Sequence, residues 1–123
     1  MTTRDTITAY FAAIATNDPH AAQPFLHDDV KLVEHPNVLN PKGKTYDRTA
    51  MREAGERGAK LMASQSYDIR EMIIDGERAA VTTVWTGTLR DGRTMRAQFC
   101  TILELRDGKV WRQEQYDCFE PFA

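Results

Sequence analysis

The chain has 123 residues, 41% hydrophobic and 28% charged, with a net charge of −2, which suits one globular domain over residues 1–123 with a single core. That charge excludes the basic footprint of a nucleic-acid or anionic-membrane binder, and no apolar run reaches the length of a membrane span. The first residues lack the apolar stretch of a secretory signal, so a cytoplasmic location is expected.

Ile7, Tyr10, Phe11 and Ile14 recur at helical spacing and predict a first helix over residues 3–16. Asn17-Asp18-Pro19 stops it. Asp18 as N-cap and Pro19 as first helical residue predict a short second helix, with Ala21, Ala22, Phe25 and Leu26 inward. Residues 30–34 read as a strand and 36–46 as a loop, broken by Pro36, Asn37, Asn40, Pro41 and Gly43. A third helix is predicted over 47–63, its apolar face carrying Met51, Ala54, Gly55, Gly58, Leu61 and Met62. A helical glycine costs roughly 1 kcal/mol relative to alanine. Gly55 and Gly58 therefore point to close packing on a sheet, with room for a ligand as the alternative.

The second half is strand and turn. Asp75-Gly76, Asp91-Gly92 and Asp107-Gly108 separate β-rich runs and predict antiparallel strands near 66–74, 77–89, 94–105 and 110–119. Helices first and strands after give an α+β class: three N-terminal helices on a mostly antiparallel sheet.

Alternation along the third of these strands sets the inward face. Met95, Ala97, Phe99, Thr101, Leu103 and Leu105 share one side, against Arg96, Gln98, Cys100, Ile102, Glu104 and Arg106 on the other. Three-residue turns with glycine in the left-handed position would carry this parity to the neighbouring strands. Ala79, Val81, Thr83, Trp85 and Gly87 then face inward, as do Trp111, Gln113, Gln115, Asp117 and Phe119. Two-residue turns would reverse the assignment and bury Arg112 and Glu114, so the three-residue form is expected. Gln113, Gln115 and Asp117 thus point into a space walled by Trp85, Met95, Phe99 and Leu103. A mostly apolar pocket with a few converging polar groups is the signature of a small-molecule site.

Cys100 and Cys118 form no Cys-x-x-Cys pair, and His20, His27 and His35 lack helical ligand spacing. No metal is expected, and both thiols are expected to be free.

The order of elements, together with Ala9-Tyr10-Phe11, Asp28-Asp29-Val30, Val33-Glu34-His35-Pro36 and the run from Leu103 to Val110, resembles the ketosteroid-isomerase-like, SnoaL-like superfamily that includes nuclear transport factor 2. The resemblance covers nearly the whole chain. It implies a cone-shaped domain with a curved sheet, a pocket inside the cone and homodimers formed through the outer sheet face. Val84, Cys100, Ile102, Tyr116 and Cys118 would give that face apolar character. It also implies roles for particular residues. Tyr10 falls where the isomerases keep an oxyanion-hole tyrosine, His35 where they keep a base before proline, and Thr101 where they keep a protonated acid. Thr101 cannot supply that acidic hydrogen bond, which argues against a steroid isomerase.

The resulting expectation is cofactor-independent proton transfer on a small, largely apolar carbonyl compound, giving isomerisation, cyclisation or dehydration. His35 is the expected base, because a histidine titrates near working pH. Asp117 is expected to orient it, and Tyr10 to donate a hydrogen bond to the substrate oxygen. Met51, Trp85, Phe99, Thr101, Gln113 and Gln115 are the expected substrate contacts. Glu34, next to His35, is expected to face solvent. The alternative is a non-catalytic module of the same fold that binds a small molecule or a partner.

Overall fold

The computed structural model describes residues 1–121. Helix α1 (Thr3–Ala15) opens with a reciprocal cap: the Thr2 hydroxyl accepts from the Asp5 N–H, and the Asp5 carboxylate accepts from the Thr2 N–H, both at 3.1 Å. Ile7, Tyr10 and Phe11 bury its apolar stripe against the sheet. The expected second helix does not form as an α-helix. Residues 19–22 are turns, followed by a single 3₁₀ turn at Gln23–Phe25. Pro24 explains the difference. In a helix begun at Pro19 it would sit in the interior, without an N–H and with its ring against the preceding turn. The expected count of three helices thus becomes two α-helices and one 3₁₀ turn.

Strand β1 (Leu26–Glu34) follows, then β2 (Lys44–Tyr46), which pairs with it across what the sequence suggested was wholly loop. Gly43 makes that hairpin possible: its φ is +70°, and a Cβ there would lie 2.6 Å from the Glu34 carbonyl oxygen. Asp47 caps α2 (Arg48–Leu61) through the Ala50 N–H at 2.8 Å. The chain then passes directly into β3 (Met62–Asp75), β4 (Arg78–Leu89), β5 (Thr94–Arg106) and β6 (Lys109–Phe119). Leu61, expected on the apolar face of α2, is instead 66% exposed at the helix end.

The strands form one curved sheet in the order β2-β1-β6-β5-β4-β3. Neighbours are antiparallel except β1 and β6, which run parallel. The helices cover one face. The main core joins α1 to Leu26, Val30, Val81, Leu103 and Val110, and a second cluster gathers around Trp85, Ala97 and Phe99.

The β4–β5 turn is the expected three-residue loop, with Gly92 at φ +93° and the Leu89 N–H donating to the Arg93 carbonyl at 2.8 Å. The β5–β6 turn is not. Arg106 pairs with Lys109 across only Asp107 and Gly108, at φ +54° and +71°, the left-handed pair of a two-residue turn. Alone, this would reverse the faces of β6. A bulge restores them: Leu105 pairs with Val110 and Glu104 with Arg112, so Trp111 is the extra residue. Val110 takes the buried place expected for Trp111. The indole instead stacks with the guanidinium groups of Arg106 and Arg112, at 3.5 and 3.7 Å from the ring centre. Beyond the bulge, Leu103 faces Gln113, Thr101 faces Gln115 and Phe99 faces Asp117, as the parity argument requires.

Candidate functional site

A cavity of about 300 Å³ opens between α1, α2 and the sheet. Its walls are mostly apolar or aromatic, and three of its polar groups come from alternate residues of β6. Gln113, Gln115 and Asp117 point inward at spacing i, i+2, i+4.

These side chains form an ordered row. The Tyr10 hydroxyl, on α1, donates to Gln113 Oε1 at 2.7 Å. Gln113 Nε2 leans toward Gln115 Oε1 at 3.4 Å, and the Thr101 hydroxyl donates to the same oxygen at 2.9 Å. With both carbonyl oxygens committed, the row presents its donor end toward Asp117. Asp117 Oδ1 is buried and has no hydrogen-bond partner. Burial pushes the Asp117 carboxyl up to about 6; the Gln115 amide opposes the rise and the Glu34 charge adds to it. Tyr10 and Tyr67 are pushed further up, chiefly by burial, and stay protonated.

Glu34 faces the cavity, against expectation. Along β1, Val30, Leu32 and Glu34 share the inner side, and Leu32 and Glu34 pair with Gln113 and Gln115. The Glu34 carboxylate accepts from the Tyr46 hydroxyl at 2.8 Å and from the side-chain amides of Asn37 and Asn40 at 2.6 and 2.7 Å. Burial and that hydrogen bond hold the Tyr46 phenol at about 12. All of these donors are neutral, so they solvate the charge without cancelling it.

His35 points to the opposite face. Its Nε2 lies 2.7 Å from Glu114 Oε2, and its ring stacks on Tyr116 at 4.3 Å. Hydrogen bonds from His35 and Tyr116 hold Glu114 below the usual carboxylate range. The expected pair of His35 with Asp117 is therefore not formed. The period of two along β1 separates neighbours, so Glu34 and His35 cannot both face the cavity.

Of the other expected contacts, Met51 and Phe99 line the cavity. Thr101 is fully buried behind Gln115. Trp85 stands one layer back, stacked on Phe99 at 5.6 Å, its Nε1 donating to Gln65 at 3.0 Å. Gln65 donates in turn to Asn17, which holds the Met62 carbonyl at 3.0 Å and ties the end of α1 to the start of β3. Asn17 adopts φ +62°, a conformation asparagine tolerates. Gly55 and Gly58 both line the cavity, so packing and ligand space coincide there: a Cβ on Gly55 would lie 3.3 Å from Pro19. Among the described residues, no three His, Cys, Asp or Glu side chains are grouped to hold a metal ion, and no helix is long and apolar enough to cross a membrane.

Residues 7–113 match the family described as the SnoaL-like domain. No curated protein matches the chain in sequence. Among solved structures, a protein with a ketosteroid isomerase-like fold from Catenulispora acidiphila, crystallised with trimethylamine, is 19% identical, with 94% of this chain and 86% of that one covered and a TM-score of 0.78. IdmH from Streptomyces antibioticus, a candidate polyketide cyclase, is 16% identical over 95% and 92% of the two chains, with a TM-score of 0.78. AusH from Aspergillus nidulans is 15% identical over 94% and 82%, with a TM-score of 0.82. At these identities the likeness is one of fold.

Proposed function

Because the chain belongs to the SnoaL-like domain family, we propose that it is a cofactor-independent proton-transfer enzyme acting on a small, largely apolar carbonyl compound, with Asp117 as the group that moves the proton. The observation that carries this reading is Asp117 itself: an inward carboxyl at the end of an ordered donor row, with a buried, unpartnered oxygen and a pKa near 6. A carboxyl poised there exchanges protons near neutral pH, as general acid–base catalysis requires. Glu34 supplies a fixed negative charge, and the Gln115 amide is placed to hold Asp117 or a substrate oxygen. Tyr10 acts as a positioning residue, since its only hydroxyl proton is committed to Gln113. Family membership and the candidate cyclase among the structural neighbours support the reaction class. The trimethylamine in the Catenulispora protein supports a pocket for a small molecule.

The test is solvent exchange. A panel of small ketones and enones is incubated with the protein in heavy water, and deuterium at the α-carbon is followed by NMR. The expected result is exchange that rises through about pH 6 and falls at least about 100-fold in Asp117→Asn, with His35→Ala unchanged. Exchange that survives in Asp117→Asn removes the assignment. An absence of exchange with every compound, alongside measurable binding, leaves the non-catalytic module as the better reading.

The outer face of the sheet completes the proposal as a homodimer contact. Cys100 and Ile102 are half-buried there, Tyr116 is 44% exposed, and His35 and Glu114 sit beside them. Light scattering should give twice the 14.0 kDa chain mass, and an Ile102→Glu variant should run as a monomer.

A further inference from the structure

The cavity has an uneven charge. Asp18 at its mouth, and Glu34 and Asp117 within, are acidic; none of its lining residues is Lys, Arg or His. Glu34 accepts hydrogen bonds from three neutral donors and is in none of the ion pairs formed among the described residues. Asp117 has no cation beside it, and its Oδ1 has no partner of any kind. The rings of Tyr46, Tyr67 and Phe99 line the same space. Two carboxyls, aromatic rings and no positive side chain form the complement of a cation that carries apolar groups. An anion would have to be desolvated into a negative site with nothing to meet it.

We propose that the cavity selects small organic cations, ammonium compounds with apolar substituents, whose charge is met by Glu34 and Asp117 and whose alkyl groups are met by the aromatic and aliphatic walls. This rests on the cavity being the ligand site proposed above and names the charge class of what enters it: the carbonyl substrate is an amino-carbonyl compound. Binding is coupled to protons. A cation in the cavity favours ionised Asp117, so it expels a proton when it binds below about pH 6. The other titratable or charged groups facing this region are Glu34 on β1, Tyr10 on α1, Tyr46 on β2, Tyr67 on β3, Asp18 at the mouth, and Arg57 on α2, whose charge reaches Tyr46. Among them Asp117 alone has a buried side-chain oxygen without a hydrogen-bond partner, which assigns the coupling to it.

Three probes of nearly one shape decide the matter by calorimetry on the full chain: choline, its uncharged carbon isostere 3,3-dimethylbutan-1-ol, and the anion 3,3-dimethylbutanoate. The expected order at about pH 7.5 is choline at least about tenfold tighter than the alcohol, with the anion weakest. Choline affinity should fall about tenfold between about pH 7.5 and pH 5 as Asp117 takes up its proton. Asp117→Asn should abolish that pH dependence. The wild-type comparison needs no variant, so a poorly folding mutant cannot obscure it. Equal binding of choline and the alcohol, preference for the anion, or no binding of choline overturns the proposal. Deuterium exchange on neutral ketones without choline preference would sink this inference and leave the proton-transfer reading standing. Choline preference without any exchange would do the reverse.

Discussion

Replacing Asp117 with asparagine keeps the size and shape of the side chain and removes its titration. Folding moves the carboxyl from an ordinary 3.8 to about 6, mainly through burial. A pKa raised in the folded state gives a contribution that is fully present below the unfolded value and is lost as pH rises through the folded one. Above pH 6 the native protein therefore holds a carboxylate where burial opposes it, while the unfolded chain ionises freely. At about 1.36 kcal/mol per pKa unit, the full penalty is about 3 kcal/mol, and water entering from the cavity reduces it. Asparagine carries no such penalty. Linkage gives it an advantage of about 1 kcal/mol at pH 4.5 and up to about 3 kcal/mol at pH 8, so the gain grows by up to about 2 kcal/mol between them. Urea unfolding of both proteins across that range, followed by circular dichroism, reads the difference directly. If the two stability curves stay parallel from acid to alkaline pH, Asp117 does not titrate as its surroundings dictate, and its role as proton carrier loses its physical basis.

Thr83 is 2% exposed and its hydroxyl has no partner, so Thr83→Val should raise stability by about 1 kcal/mol in the same assay. Tyr10→Phe leaves Gln113 Oε1 buried without its donor and should cost about 1–3 kcal/mol; unchanged stability would show that the polar row is not held from α1. A Cβ on Gly87 would lie 2.5 Å from the Trp85 ring, so Gly87→Ala should cost about 1–3 kcal/mol and shift the indole fluorescence.

Much of the architecture was legible because local chemistry and periodicity agreed. The stripe of Ile7, Tyr10 and Phe11 marked α1, and the alternation through Ala97, Phe99 and Leu103 fixed which face of β5 is buried. That alternation carried Gln113, Gln115 and Asp117 into the cavity correctly, although two of the three turns have two residues where three were expected: Gly76-Glu77 and Asp107-Gly108. The inward end of β1 differs from expectation for another reason. His35 was placed by its position before Pro36, whereas the buried Val30 and the inward Leu32 point to Glu34 two residues on. The same period of two was available in β1 and went unused. Tyr67, Gln65 and Tyr46 had no such signal. Their approach to the cavity depends on sheet curvature and on a short β2 pairing, both set by tertiary contacts.

The bulge at Trp111 gives the β5–β6 hairpin an odd-and-even arithmetic. The short turn and the extra residue are each a change of one, and in this sequence the two cancel. Deleting Trp111 would leave Arg106–Lys109, Leu105–Val110 and Glu104–Arg112 paired in an unbulged two-residue hairpin, with Gln113, Gln115 and Asp117 still inside. Pairing Trp111 with Glu104 would instead slip every later residue by one, putting Arg112 and Glu114 in the cavity and Gln113 and Asp117 in water. The lining is thus set by leaving Trp111 out of the ladder, and a relative of equal hairpin length with a three-residue turn should be found without the bulge.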